Sequence, residues 1–184
     1  MARPSAAPAR LPVRQGERLF IALWPDAHTR AQLVRAGESL GIGGRLVAPA
    51  NLHLTMVFLG QVPVLARPRI LKAMRETRAR SFKLVLDRSG HFSASRVAWI
   101  GCASPPPLML AILQRLSEQL RGAGFALEER PFRAHVTIAR DVGGTPPVAP
   151  DGLLPIAWPV DSLALVRSPA RGGAQYQVLE TLSL

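Results

Sequence analysis

The sequence predicts an α+β fold with two similar halves, and three observations favour this class. Short apolar segments that alternate as strands do are separated by stretches with helical periodicity. The order strand, helix, strand occurs twice, with 34 residues from Leu19 to His53 and 38 residues from Val97 to His135. Both closing strands carry the sequence His-x-Thr. The repeated order indicates an internal duplication. Two such lobes facing each other would bring one His-x-Thr from each half to a central cleft, an arrangement that length and spacing alone do not force.

Length and composition fit one domain. The chain has 184 residues, of which 48% are hydrophobic, enough for a packed interior. We assign residues 17–184 to a single bilobal domain, and residues 1–16, which contain three arginines, three prolines and no acid, to a disordered basic tail. That tail lacks the apolar run of a signal peptide or membrane anchor. The single cysteine, Cys102, excludes an intramolecular disulfide, and no Cys/His cluster has zinc spacing, so we expect a cytoplasmic protein without a structural metal. We also expect a monomer.

The charge favours a polyanionic partner. The formal net charge is +11, from 23 basic and 12 acidic residues, and 21 of the basic residues are arginine. Guanidinium groups bind phosphate bidentately, so arginine richness is typical of proteins that bind nucleic acid. A GC-rich genome would produce the same richness, and both interpretations stay open.

The first half begins with a strand at 18–24, which Pro25 closes. Asp26 is a good N-cap for a helix that runs to about Leu40 and ends before Gly41. The other predicted elements of this half are a short strand at 45–47, the first motif strand at 51–61, and a helix that starts near Pro68 and turns Ile70, Leu71 and Met74 inward.

The second half opens with an alternating strand at 82–88 and a continuous apolar run at 97–102, which is typical of a strand buried on both faces. A helix over 108–121 is indicated by apolar residues at helical spacing, Met109, Ile112, Leu116 and Leu120. The second motif strand at 132–140, a Gly/Pro-rich loop at 142–155, and strands at 163–166 and 175–182 joined by a turn with Gly172 and Gly173 complete the chain.

The two motifs carry the candidate chemistry. Strand alternation places each histidine and the threonine two residues later on one face, with apolar neighbours, including Phe58, on the other. The pairs are His53 with Thr55 and His135 with Thr137. If the two lobes face each other, these four side chains meet in the central cleft.

Two histidines in one cleft can transfer protons in concert near neutral pH, which is what opening a phosphodiester requires. One takes the proton of the attacking water, the other protonates the departing alkoxide, and threonine hydroxyls can donate to the phosphate oxygens. This scheme needs neither a metal nor a cofactor. Further candidate contacts are Arg130, Arg133 and Arg140 for phosphate, and Phe58 and Phe132 for a base, with core packing as the competing interpretation of both phenylalanines.

These motifs resemble the two signatures of the two-histidine (2H) phosphoesterases, and most closely the LigT-like RNA 2′,3′-cyclic phosphodiesterases. The resemblance covers about residues 17–184 and rests on R-L-F-I-A-L-W-P, N-L-H-L-T-M-V-F-L-G, R-P-F-R-A-H-V-T-I-A-R and L-V-R-S-P-A-R-G-G-A-Q-Y-Q-V-L. It implies a bilobal α+β fold of two pseudo-symmetric lobes, each with an antiparallel sheet and flanking helices, with the active cleft between them. It implies metal-independent hydrolysis of a 2′,3′-cyclic phosphate end to a 2′-phosphate. For some members it also implies reversible 2′-5′ RNA ligation. By matching position, His53 is the proton donor and His135 the proton acceptor.

The sequence departs from the family at two positions, since Leu46 stands where relatives often have tryptophan and Ala134 where proline is common. We expect RNA or an oligonucleotide with a cyclic phosphate end as partner, and no membrane. Two alternatives remain. The same site could act on another cyclic phosphate or a 2′-5′ oligonucleotide, or the chain could be a non-catalytic RNA-binding module whose salt-sensitive binding survives loss of either histidine.

Overall fold

The computed structural model describes residues 16–143, 155–169 and 175–184. Short 3-10 turns precede β3, α2 and β6. No helix of these ranges is long and apolar enough to cross a membrane. The strands and helices, in chain order, are β1 Gly16–Leu23, α1 Ala27–Ser39, β2 Arg45–Leu46, β3 Leu54–Pro63, α2 Arg67–Glu76, β4 Phe82–Leu86, β5 Arg88–Phe92, β6 Val97–Gly101, α3 Pro107–Gly122, β7 His135–Arg140, β8 Ile156–Val160, β9 Ser162–Ser168 and β10 Gln177–Ser183.

One large sheet holds both halves of the molecule. Its strand order is β10-β9-β1-β3-β7-β6-β5, with β2 paired to β7, and a separate two-stranded sheet pairs β4 with β8. Every pair is antiparallel. The strand, helix, strand repeat is confirmed, because β1 pairs with β3 around α1 and β6 pairs with β7 around α3. The two halves are joined where Leu54 of β3 lies opposite Val136 of β7.

The main core lies on one face of this sheet. In β1, Leu19, Ile21 and Leu23 are fully buried against it, while Phe20 and Ala22 point to the opposite face, which we call the cleft face. Each fully buried leucine contributes roughly 2 kcal/mol. All three helices and the β4-β8 sheet supply residues to the main core, so the cleft face is left for a ligand.

All three predicted helices are present, and in α2 Ile70 and Met74 are buried as predicted while Leu71 is only half-buried. Asp26 caps α1, because its Oδ1 accepts from the Thr29 backbone N–H at 2.7 Å. In α1 the buried residues are Thr29, Leu33 and Gly37. In α3 the four apolar positions read from the sequence are the four buried residues, Met109, Ile112, Leu116 and Leu120.

The strand boundaries differ from expectation at several points. The first motif strand begins only at Leu54, because Pro49–Asn51 forms a 3-10 turn. Strands β5 and β8 were not predicted: R-S-G-H-F does not alternate, and Pro159 removes a backbone donor from β8. Residues 1–15, most of the predicted 142–155 loop, and the turn at Gly172 and Gly173 lie outside the described residues.

Candidate active site

The pairing of the two motif strands brings their polar residues together. Leu54 and Val136 lie opposite each other and are both fully buried in the main core. In an antiparallel pair, the residues on either side of such a contact point to the other face and again lie opposite one another. The register therefore sets His53 opposite Thr137 and Thr55 opposite His135, with all four on the cleft face.

Both histidine rings are held by the same hydrogen bond. His53 Nδ1–H donates to the Asn51 backbone carbonyl at 2.6 Å, and His135 Nδ1–H donates to the Arg133 backbone carbonyl at 2.7 Å. Because a carbonyl only accepts, Nδ1 must carry a proton in each ring. Proton exchange with a substrate then falls to the two Nε2 atoms.

Three aromatic rings surround His53. Trp24 stacks on the imidazole with ring centroids 5.5 Å apart and an interplanar angle of 13°. Phe20 and Tyr176 lie at centroid distances of 4.8 and 5.2 Å. Tyr176 is fixed in turn by its backbone N–H, which donates to Oδ1 of Asn51 at 2.9 Å. His53 is thus oriented by residues from both ends of the chain.

A second aromatic group supports His135. The Phe92 ring lies 5.0 Å from the imidazole and the Trp99 ring 6.3 Å, both edge-on. Trp99 can lie flat on the sheet because Gly90, opposite it on β5, has no side chain, and a Cβ there would overlap the indole. Each catalytic candidate therefore sits against a rigid apolar wall.

Burial lowers the pKa of both histidines. For His53, desolvation is the main cause and brings the pKa from 6.5 to about 4, with the positive charges of Arg140 and His135 acting in the same direction. For His135, desolvation again lowers the pKa, and the Arg133 guanidinium adds to it. The hydrogen bonds to the two carbonyls oppose these shifts without cancelling them. Both rings are thus predominantly neutral at pH 7 in the free protein.

The lowered pKa of His53 makes stability depend on pH. Between pH 4 and 6.5 the unfolded chain binds more protons than the folded one, so stability is present above pH 6.5 and is lost as the pH falls toward 4. The loss from His53 amounts to roughly 3 kcal/mol. Denaturant unfolding at pH 7.5 and 4.5 should show a smaller difference for His53→Gln than for the wild type. His28→Gln, which removes an exposed histidine, is the control, and equal pH dependence in all three proteins would contradict this account.

A β-bulge changes the predicted position of Phe58. In the pairing of β1 with β3, Ala22 lies opposite Thr55 and Phe20 lies opposite Phe58. Two residues of β1 therefore span three residues of β3, which means that β3 contains one extra residue, a β-bulge, between these pairs. Phe58 is therefore on the cleft face with Thr55, and the expectation that it faces the core is wrong. Its side chain is 38% exposed.

A matching bulge in β7 repositions Arg140. Thr137 lies opposite Trp99, but Ala139 lies opposite Ala98, so one extra residue of β7 is accommodated between them. Arg140 is exposed and turned toward His53, whose pKa its charge lowers. Phe58 and Arg140 are thus equivalent positions, each five residues after its histidine.

Of the three remaining candidate contact residues, only Arg133 lies near a histidine. Arg133 is exposed, with its guanidinium 5.9 Å from the Phe92 ring centroid, and lies close enough to His135 to affect its pKa. Arg130 is exposed and paired with Glu128 at 2.5 Å. Phe132 is half-buried and packs against the main core, so the structure does not bring it to the histidines.

The aromatic walls were missed by sequence reasoning. One signal was present, because Phe20 sits on the same face of its strand as Trp24, which follows that strand. For Tyr176 and Trp99 no local signal exists, since they reach the histidines through strand pairing. In the part of the chain that the structure describes, no group of three His, Cys, Asp or Glu side chains is arranged to hold a metal ion.

Comparison with known proteins identifies the family. The model of the 2′-5′ RNA ligase superfamily matches residues 23–172. A relative from Escherichia coli, named RNA 2′,3′-cyclic phosphodiesterase, is 33% identical over 91% of this chain and 97% of its own length. One with the same name from Thermus thermophilus is 35% identical over 91% of this chain and 90% of its own. The crystal structure of Escherichia coli LigT complexed with 3′-AMP superimposes with a TM-score of 0.83 at 31% identity, covering 92% of this chain and 98% of that one. The chain therefore belongs to the 2′-5′ RNA ligase superfamily.

Proposed function

We propose that this protein hydrolyses RNA 2′,3′-cyclic phosphate ends to 2′-phosphates. One observation carries the proposal: two histidines on adjacent strands each have Nδ1–H fixed to a backbone carbonyl, so both Nε2 atoms remain for proton transfer above one cleft. The relatives named RNA 2′,3′-cyclic phosphodiesterase support the choice of substrate.

The roles follow from proton bookkeeping and from the family pattern. His135 takes a proton from the attacking water, and His53 gives a proton to the departing 3′-oxygen, so the phosphate stays on the 2′-oxygen. Water and leaving group lie on opposite sides of phosphorus in an in-line displacement, which suits two histidines from opposite halves of the sheet. The scheme requires no metal or cofactor.

The phosphate oxygens need donors of their own. Thr55 and Thr137 share the cleft face with the histidines, and their hydroxyls can donate to the non-bridging oxygens. Arg140 and Arg133 add positive charge beside His53 and His135, respectively. Structures of Escherichia coli LigT with phosphate and with 3′-AMP support an anion site of this kind in the family.

Phe58 is the better of the two candidates for stacking on a base. It is on the cleft face and partly exposed, whereas Phe132 packs on the core. We therefore place the terminal nucleobase over Phe58, next to Thr55. We assign no substrate contact to Arg130, because its guanidinium is hydrogen-bonded to Glu128.

The rate should follow a bell-shaped pH profile that reports the lowered pKa values. The productive form has one charged and one neutral histidine, with a proton on only one of the two Nε2 atoms. In the free protein this form is most populated between two pKa values that both lie below 6.5. We expect kcat/KM to peak on the acid side of pH 6.5. A bound phosphate anion raises both pKa values, so the peak of kcat should lie at higher pH. A kcat/KM that keeps rising into the alkaline range would contradict this.

A substrate panel separates the proposed activity from its alternatives. We propose that kcat/KM is highest for RNA ending in a 2′,3′-cyclic phosphate, compared with a 3′,5′-cyclic nucleotide and a 2′-5′ oligonucleotide. Formation of 2′-5′ linked product from a 5′-hydroxyl RNA and a cyclic end would add the ligase reaction. If no substrate is turned over while RNA still binds in a salt-sensitive way, the chain is a non-catalytic RNA-binding module.

The setting proposed for this activity is the cytoplasm, with the protein acting as a monomer on RNA ends. The single cysteine supports the compartment, and the excess of arginine supports RNA as the partner. Light scattering on the purified protein, with and without a short RNA, tests the monomer directly.

A further inference from the structure

A second basic position lies on the cleft face of the N-terminal half, beyond the histidines. Arg18 points to this face because β1 alternates regularly, with Phe20 and Ala22 following it on the same side. Its guanidinium lies 5.0 Å from the centroid of the Phe58 ring. Within the described ranges of the chain, no carboxylate forms an ion pair with Arg18. An exposed arginine over an exposed aromatic ring is therefore available to a ligand.

The position of Arg18 suits the neighbouring phosphate of a nucleic acid strand. Ala22 lies opposite Thr55, and Phe20 lies opposite Phe58. Since Ala22 and Phe20 are two residues apart on β1, Phe58 lies about 7 Å along the sheet from Thr55. The Arg18 guanidinium lies over this ring, about one such step along the sheet from Thr55 and therefore outside the immediate histidine site.

Among the described residues, the two halves of the cleft face differ beside the histidine site. In the C-terminal half, Trp99 lies across Gly90 beside His135, and Arg140 rather than an aromatic residue stands at the position equivalent to Phe58. In the N-terminal half, Phe58 and the neighbouring Gln61 and Arg18 are exposed. A strand that ends between the histidines is thus directed over Phe58 toward Arg18.

We propose that Arg18 binds the phosphodiester on the 5′ side of the terminal nucleoside, so that the site prefers an RNA strand to a free nucleoside 2′,3′-cyclic phosphate. This subsite rests on the proposed function. When the terminal base stacks on Phe58, it takes the ring face that Arg18 covers, and the displaced guanidinium moves out to the adjacent phosphate. Arginine over an aromatic platform is a common arrangement for single strands.

The test compares two substrates with the same terminal base, a nucleoside 2′,3′-cyclic phosphate and a short RNA with that end. For Arg18→Ala we expect kcat/KM on the RNA to fall about tenfold, mostly through KM, while the value for the mononucleotide changes less than about twofold. Arg18→Lys should recover part of the loss. Arg115→Ala, which removes an exposed arginine of α3 on the core side of the sheet, is the matched control.

A binding measurement gives a second readout that does not depend on turnover. With an RNA ending in a 3′-phosphate as probe, the slope of log Kd against log salt concentration should be smaller for Arg18→Ala by roughly 0.7, the change for one lost contact to a single strand. If Arg18→Ala lowers kcat/KM equally on the RNA and on the mononucleotide, Arg18 only supports Phe58, and the phosphate subsite is wrong. The subsite is also wrong if Arg18→Ala keeps the preference of the wild type for RNA. If the wild type turns over neither substrate, the proposed function itself has failed.

Discussion

Replacing His53 or His135 by alanine is expected to lower kcat on an RNA 2′,3′-cyclic phosphate end by about 10²-fold or more each. Each substitution removes one of the two groups that move a proton in the displacement. The reduction should appear in kcat rather than in RNA affinity, because the phosphate contacts proposed for Thr55, Thr137 and the nearby arginines do not involve the histidines. Single-turnover rates and equilibrium binding of the same RNA measure the two quantities separately.

Controls distinguish lost chemistry from lost structure. His53 is packed between aromatic rings, so His53→Gln, which keeps a polar side chain of similar size, accompanies the alanine variant. His28→Ala removes an exposed histidine and should leave the rate unchanged. Thr55→Ala and Thr137→Ala should have milder effects than loss of a histidine. Activity that survives in both histidine variants would contradict the acid–base scheme.

An acidic leaving group is expected to rescue His53→Ala and not His135→Ala. A phosphodiester that releases 4-nitrophenolate needs no proton on its leaving oxygen, so the general acid becomes dispensable, whereas water must still lose a proton to a base. On this substrate His53→Ala should come within about tenfold of the wild type, while His135→Ala keeps its full loss of about 10²-fold. The release of nitrophenolate is followed by absorbance.

The opposite pattern would reverse the two roles. If His135→Ala is rescued instead, His135 is the donor, although the site itself stands. The geometry treats the histidines alike, because both rings donate Nδ1–H to the carbonyl two residues earlier. The assignment therefore depends on chemistry that only the substituted proteins can report.

Local sequence patterns predicted much of the fold because burial imposes a strict period. The four apolar residues of α3 and the Asp26 cap of α1 are short-range features, and both are present in the structure. Strands β5 and β8 depend on pairing partners instead. The segment R-S-G-H-F becomes a strand because β6 supplies its hydrogen-bond partners. Its own five residues contain no pattern that predicts a strand.

In the candidate site too, some features could be predicted from local sequence and others depend on strand pairing. His-x-Thr spacing predicted that each pair shares one face, and the pairing of Leu54 with Val136 brings the pairs together. The bulges that turn Phe58 and Arg140 to the cleft face arise from register with neighbouring strands, which simple alternation cannot anticipate. The pKa of His53 likewise depends on burial among Phe20, Trp24 and Tyr176, which pairing brings together from distant parts of the chain.

The most direct test of the central claim is to identify the product formed from one RNA. A 5′-labelled RNA ending in a 2′,3′-cyclic phosphate is incubated with the protein in excess chelator, and the end is then analysed by its response to phosphatase and by comparison with 2′- and 3′-phosphate standards. In the proposed scheme His53 protonates the 3′-oxygen and His135 activates water, so we predict complete conversion to the 2′-phosphate at an undiminished rate. A 3′-phosphate product, or a rate that collapses with chelator and returns with added zinc or magnesium, would contradict this account.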